Sequence, residues 1–227
     1  MIDRVGRQTD VSAETRGPGV RAGLTQAALV AAARRIVERH GLDALTMRRL
    51  AGDLGVTPNT LYSHVAGKSA LVDLLMDDVA GEVEAPDPET IEWRAGLHVL
   101  FASTRRTVAA APELAPLFLS RAPRGPNALR LGEVTLELLA RGGVKGPAAV
   151  RAMRALLVYS FGYAAFAAAR AQDPDPIGHA ERAFAADASL PRTTALASEF
   201  ARAPAEAGFE GGLEALIGGI SGQHRPG

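Results

Sequence analysis

Residues 45–75, LTMRRLAGDLGVTPNTLYSHVAGKSALVDLL, constrain this chain more than any other stretch. The run reads as a helix, a tight turn, a second helix and the start of a longer one. Leu50, Ala51 and Leu54 set small and apolar side chains on one face of the first helix. Gly55 follows, and glycine takes the left-handed backbone that a sharp inter-helix turn requires. Thr57 is a good N-cap, and Pro58 suits the first helical position, where a missing N–H costs nothing. Leu61 and Val65 then turn inward. The spacing of Ala51, Gly55 and Leu61 is that of a helix-turn-helix: a small residue where the helices touch, a glycine at the turn and an aliphatic plug in the core.

The second helix carries Asn59, Thr60, Tyr62, Ser63 and His64 around that plug. Amide and hydroxyl groups bond to base edges, threonine methyls touch thymine methyls, and Tyr62 and His64 have the reach for phosphates. Thr57, Pro58, Asn59, Thr60 and Ser63 are therefore the candidates for the groove floor, Pro58 through apolar contact alone. Thr46 caps the preceding helix, with Arg48 in its first turn. A helix N-terminus attracts phosphate through its free N–H groups and dipole. Thr46, Arg48, Tyr62, His64 and Lys68 are the candidate backbone anchors. A plain surface helix pair shares the Ala-x3-Gly spacing, but not the Thr57–Pro58 cap combined with so polar a second helix.

The formal net charge of zero hides an uneven distribution. Residues 1–70 carry a net +4 and the remainder a net −4. The basic third is the one with the helix-turn-helix, as phosphate binding requires. Apolar residues make up 47% of the chain, much of it alanine, which favours an all-α fold. With no cysteine, neither a disulfide nor a thiolate metal site can form. No uninterrupted apolar run is long enough to span a bilayer and the N-terminus lacks a hydrophobic signal core, so a cytoplasmic protein without a membrane partner is predicted.

Three regions follow. Residues 1–23, with Gly17-Pro18-Gly19, read as a disordered arm. Arg16 and Arg21 there either reach a minor groove or belong to a solvated tail. Residues 24–84 form the helix-turn-helix domain. Its first helix runs from a Thr25 cap to Gly41 on a stripe of Leu29, Ala33, Ile36 and Val37, and its fourth runs from Lys68 to near Glu84. Pro86 and Pro88 break the chain there. Residues 85–227 are a second, helical domain with predicted helices over 89–111, 113–121, 127–141, 147–172, 191–203 and 205–220. Residues 177–187 read equally as helix or loop, and 221–227 as a frayed end.

The stretch LGVTPNTLYSHVAGKSALVDLL resembles the DNA-binding domain of the tetracycline-repressor (TetR) family, through Leu61-Tyr62, His64-Val65, Lys68 and Ala70-Leu71. The likeness covers residues 24–75 and continues more faintly at Trp93, Gly142-Gly143 and Gly212-Leu213-Glu214. It implies a ligand-responsive regulator, a repressor, that binds double-stranded palindromic operator DNA as a homodimer and is released by a small-molecule effector held in its C-terminal domain. It also implies that two C-terminal helices pair across a two-fold axis as a four-helix bundle. The very apolar segments 148–169 and 209–220 suit that role, and Leu156, Ala164, Leu213, Leu216, Ile217 and Ile220 are the expected interface residues.

The expected pocket lies between the fourth helix and the helices over 93–111, 127–141 and 148–169. His98, Phe101, Thr104, Arg105, Phe118, Tyr159 and Tyr163 are the candidates to line it, each aromatic being equally a core residue. Aligned by eye, the positions where the family's namesake holds its drug and its magnesium fall here on Glu84, Leu100, Thr104 and Phe118. That chemistry is missing, and a largely apolar pocket with one or two polar anchors is expected instead.

Enzyme chemistry finds little footing. Histidines at 40, 64, 98, 179 and 224 make no metal spacing, and no Gly-x-Gly-x-x-Gly or phosphate-loop lysine motif occurs. Ser120 and Ser160 lack the paired glycines of a nucleophile elbow. No catalytic residue, metal or cofactor is predicted. The alternative to a regulator is an all-helical protein-interaction module that uses the N-terminal helices to hold another protein.

Overall fold

Three threonines start the helices of the N-terminal third. The computed structural model describes residues 24–121, 124–171, 173–185, 189–201 and 206–222, so the 1–23 arm with Arg16 and Arg21, and the last five residues, lie outside the described residues. Thr25 Oγ1 accepts from the Ala28 N–H (3.2 Å), Thr46 Oγ1 from Arg49 (3.1 Å) and Thr57 Oγ1 from Thr60 (3.4 Å). Each thereby satisfies an amide that the first turn leaves open. The helices begun are α1 (Gln26–His40), α2 (Met47–Leu54) and α3 (Pro58–Tyr62). Gly55 sits in the left-handed region at φ 63, and the Val56 N–H reaches back to the Ala51 carbonyl (2.9 Å), closing α2 onto the turn. Leu29, Ala33, Ile36, Leu50, Ala51 and Leu61 are sealed between these helices.

α4 (Lys68–Gly81) packs on both sides, burying Leu71, Val72, Leu75, Met76, Val79 and Ala80. It stops three residues short of the expected Glu84. Next comes α5 (Trp93–Ala109), which begins later than expected because the Glu92 carboxylate accepts from Arg94 and Ala95 N–H (2.9 and 3.0 Å). α6 (Ala115–Ser120), α7 (Pro126–Arg141) and α8 (Gly146–Ala171) follow. α5, α6, α7 and α12 (Glu206–Gly222) all pack on α8. Gly142 lies flat on the Trp93 indole, where a Cβ would stand 2.7 Å from the ring. The segment left open as helix or loop is helical, as α9 (Pro176–Ala185). The single helix expected over 191–203 is instead two short ones, α10 (Pro191–Ala195) and α11 (Ala197–Ala201). α12 runs to Gly222, two residues past the expected end. Among the described residues there is no strand.

Two findings amend the sequence reading. α8 is 26 residues long with a mean hydropathy of 1.3 over its most apolar stretch, so by length and composition it is able to cross a membrane. In the fold one side of it is core: Leu156, Ser160, Phe161, Ala164 and Ala168 are buried between its neighbours, while Val158 and Phe166 are exposed. Second, the core does not divide at Pro86 and Pro88. One apolar cluster runs from α1 through Leu61 and α4 to Val108, Phe118, Phe161 and Ala164. The other fills the space between α5, α7, α8 and α12.

Candidate functional site

All ten residues expected at a DNA surface are exposed: Thr46, Arg48, Thr57, Pro58, Asn59, Thr60, Tyr62, Ser63, His64 and Lys68. The buried Leu61 holds α3 down, so its remaining side chains face outward. Thr57 and Thr60 share a hydrogen bond between hydroxyls (3.0 Å), which sets them on one side of the helix. Asn59 makes no side-chain hydrogen bond among the described residues, so both ends of its amide are available. Ser63 and His64 are not inside the helix as expected. α3 ends at Tyr62, where the Ser63 hydroxyl donates to the Thr60 carbonyl (2.7 Å) and the His64 N–H to that of Leu61 (2.9 Å). These local bonds compete with continued helix and turn the chain towards Gly67. Lys68 Nζ donates to the Leu42 carbonyl (3.2 Å), tying the start of α4 to the turn after α1 and leaving two of its N–H groups for other partners.

A cavity of about 370 Å³ lies between α4, α5, α7 and α8, with Phe118 of α6 in its wall. Phe101, Thr104 and Phe118 line it. His98, Arg105, Tyr159 and Tyr163 do not. They gather around Phe209 of α12: His98 Nε2 stands 2.5 Å from Glu210 Oε2, and the Arg105 guanidinium lies over the Phe209 ring (4.8 Å). Tyr159 stacks on that ring (5.2 Å) and donates to the Phe209 carbonyl (3.0 Å), and Tyr163 meets the ring edge-on (5.3 Å). Burial, with Tyr163 beside it, pushes the Tyr159 hydroxyl above the ordinary tyrosine range. Residues 101, 104 and 108 turn to the cavity side of α5, while 98 and 105, on the adjoining strip of the same helix, meet α12.

Sequence reasoning missed most of the cavity wall, which comes from α7 and α8. Leu131, Gly132, Thr135 and Leu136 face it from the former, and Met153, Leu157 and Phe161 from the latter. The signal was present as spacings of three and four, but it does not separate a cavity wall from core. Of the four positions aligned with the family's drug and metal site, Leu100, Thr104 and Phe118 line the cavity. Glu84 is exposed and outside it.

α4 joins the two regions. Its first residue is Lys68 at the helix-turn-helix, and its Ala80 and the following Val83 are cavity wall. Three polar ties, unread in the sequence, hold it. Arg34 of α1 bonds Asp78 (3.1 Å), Glu82 and Glu38, and these carboxylates, Glu82 foremost, raise its guanidinium pKa against the lowering effect of burial. Arg121, just past α6, bonds Asp73 (2.8 Å). The buried Asp77 carboxylate accepts from the N–H groups of Asn127 (3.4 Å) and Ala128 (3.0 Å) and so caps α7.

The expected two-fold face needs correcting. Leu156, Ala164, Leu213 and Ile217 are already buried inside the protomer, because the apolar stripes of α8 and α12 pack on each other and on α5. Leu216 and Ile220 remain partly exposed. They border a groove of about 380 Å³ with Ala148, Arg151, Ala155, Ala215 and Gly219.

Residues 29–75 match the bacterial regulatory proteins of the tetR family, and residues 85–224 the tetracyclin repressor-like C-terminal domain. The chain is 34% identical over 206 residues to an HTH-type transcriptional regulator of Saccharopolyspora erythraea, covering 87% of this chain and 85% of that protein. It is 26% identical over 199 residues to the class C tetracycline repressor protein of Escherichia coli, covering 87% and 90%. The crystal structure of the Streptomyces coelicolor TetR family protein ActR in complex with actinorhodin matches with a TM-score of 0.82 at 32% identity, over 90% of this chain and 100% of that one. With a helix-turn-helix at one end of α4, an apolar cavity at the other, and both halves matched, the chain belongs to the TetR family and is a ligand-responsive, DNA-binding transcriptional regulator.

Proposed function

We propose that the protein represses transcription from the cytoplasm by binding a palindromic operator as a homodimer, and that it leaves the operator when a small molecule fills the cavity between α4, α5, α7 and α8. No catalytic step is needed. The observation that carries the reading is the span of α4, from the exposed helix-turn-helix to the cavity wall. A ligand that spreads α7 from α4 acts on a rigid element whose other end sets the position of α3. Two recognition helices dock together only at a spacing of about one turn of DNA, roughly 34 Å. A shift of the Lys68 end takes a dimer off that spacing, and a coupling of about 1–3 kcal/mol weakens operator binding roughly 5–150-fold.

The groove bordered by Ala155, Ala215, Leu216 and Ile220 supports the dimer. Small residues there let a second copy's helices approach closely. Thr46, Arg48, Tyr62, His64 and Lys68 serve as the phosphate anchors, and Thr57, Pro58, Asn59, Thr60 and Ser63 as the groove-facing set. The test is fluorescence anisotropy on a palindromic operator selected from random-sequence DNA with the purified protein. Affinity is expected to fall by roughly 10³ or more between 50 and 200 mM salt, for six or more phosphate contacts. Binding indifferent to salt overturns the reading.

A further inference from the structure

Among the described residues, the polar side chains that line the cavity accept hydrogen bonds, and none is left to donate one. Two of its lining hydroxyls are buried, and the hydrogen of each is directed away from the cavity. Thr104 Oγ1 donates to the Leu100 carbonyl (2.8 Å) and Thr135 Oγ1 to the Leu131 carbonyl (2.8 Å), one turn back along their own helices. Each hydroxyl hydrogen is spent, and only oxygen lone pairs remain for a guest. Among the described residues, no Lys, Arg, His, Asn, Gln, Tyr or Trp side chain is in the lining. Glu133, exposed at the rim, is the one charged residue of the lining among the described residues, and another acceptor. The N-terminus of α7, which lies beside the cavity at Ala128, would ordinarily attract an anion. Here its amides are occupied by the buried Asp77 carboxylate, which adds negative charge at the same place.

We infer that the cavity selects neutral, apolar molecules bearing hydroxyl or amine donors, and excludes carboxylates, sulfonates and phosphates. This names the effector class for the site proposed above and rests on that reading. A donor on the guest meets Thr104 Oγ1 or Thr135 Oγ1. An anionic group there loses its water and finds neither a cation nor an N–H in return.

Two dyes with the same ring system test this on the full-length protein without operator: N-phenyl-1-naphthylamine, neutral with one N–H, and its sulfonated analogue 1-anilinonaphthalene-8-sulfonate. Gly132 lines the cavity, and a Cβ placed there meets nothing within 4 Å, so Gly132→Leu is the variant chosen to fill the space. The neutral dye should bind at least ~10-fold tighter than the sulfonate. Gly132→Leu, its fold checked by circular dichroism, should abolish that binding. Thr104→Val/Thr135→Val should weaken the neutral dye roughly 3–10-fold and leave the sulfonate unchanged. Sulfonate binding as tight as the neutral dye and lost in Gly132→Leu overturns the inference, since a donor or cation must then serve the cavity. Neutral-dye binding that is absent, or unaffected by Gly132→Leu, overturns it too. Because no DNA is present, these outcomes are independent of the salt titration that tests operator binding.

Discussion

Asn59 illustrates how little backbone is needed to present a reading residue. α3 spans only five residues, but the Thr57 cap, Pro58 and the buried Leu61 hold it in one orientation. Its amide offers both a donor and an acceptor, the pairing an adenine edge requires. Asn59→Ala is expected to cost about 1–3 kcal/mol on the preferred operator and to relax preference at one base pair per half-site. Binding to a panel of single-base operator variants checks this, and an equal loss on all of them would assign Asn59 to the backbone. A pH effect belongs to the start of α9. Asp173, bonded by the Asp175 N–H and by His179, and Asp175, bonded by Arg182 and by the Gly178 N–H, both hold their carboxyls below the usual range. A depressed folded pKa contributes stability that is full above the unfolded value, near 3.8, and is lost as pH falls through the folded one. The amide resonances of Gly178 and Asp175 should therefore shift as pH falls below about 4, as followed by NMR.

Among the elements, α4 and α7 form a unit that no periodicity announces. The Asp77 carboxylate is the N-cap of a helix fifty residues away, and Gly125 is needed because a Cβ there would run into that carboxylate. Asp77→Ala removes the acceptor for two amides and a charge that the helix dipole favours, a loss of roughly 1–3 kcal/mol. Gly125→Ala should destabilise through the same contact. The double variant should lose less than the two single losses combined, because alanine at 77 makes room for the new methyl. Urea unfolding of the four proteins measures it. Additive losses would mean that the two residues act separately.

For the whole molecule, the groove between α8 and α12 is where assembly is tested. Residues within the protomer core are poor probes, since a charge at Ile217 would unfold the chain before it separated two chains. Ala155 and Ala215 are exposed in the protomer and border the groove. Ala155→Glu or Ala215→Glu should leave a folded protein that sediments as a monomer, because a buried unpaired charge costs several kcal/mol across the interface. Operator affinity should fall with it, as one half-site loses its partner. A dimeric Ala215→Glu protein with normal affinity would place the two-fold axis elsewhere.

The helix-turn-helix was determined by sequence alone. Its signals are local: a cap three residues from the amide it serves, a glycine at one left-handed turn, a plug at a fixed spacing. All ten of its expected surface residues are exposed, although α3 ends at Tyr62 because Ser63 bonds backward. Most helix positions in the C-terminal half were legible for the same reason, since proline, glycine and capping residues act within a turn, but the break between α10 and α11 was not. Which face of each helix meets which neighbour was decided only by the tertiary structure. Phe101 and Tyr159 are both aromatic residues on apolar helices, yet one lines a cavity and the other stacks on Phe209. Leu156 and Leu213 read as interface and are core. The Asp77–Ala128 and Arg34–Asp78 bonds join residues 51 and 44 positions apart, and the pairing of such distant partners follows from how the helices pack, not from any pattern along the chain.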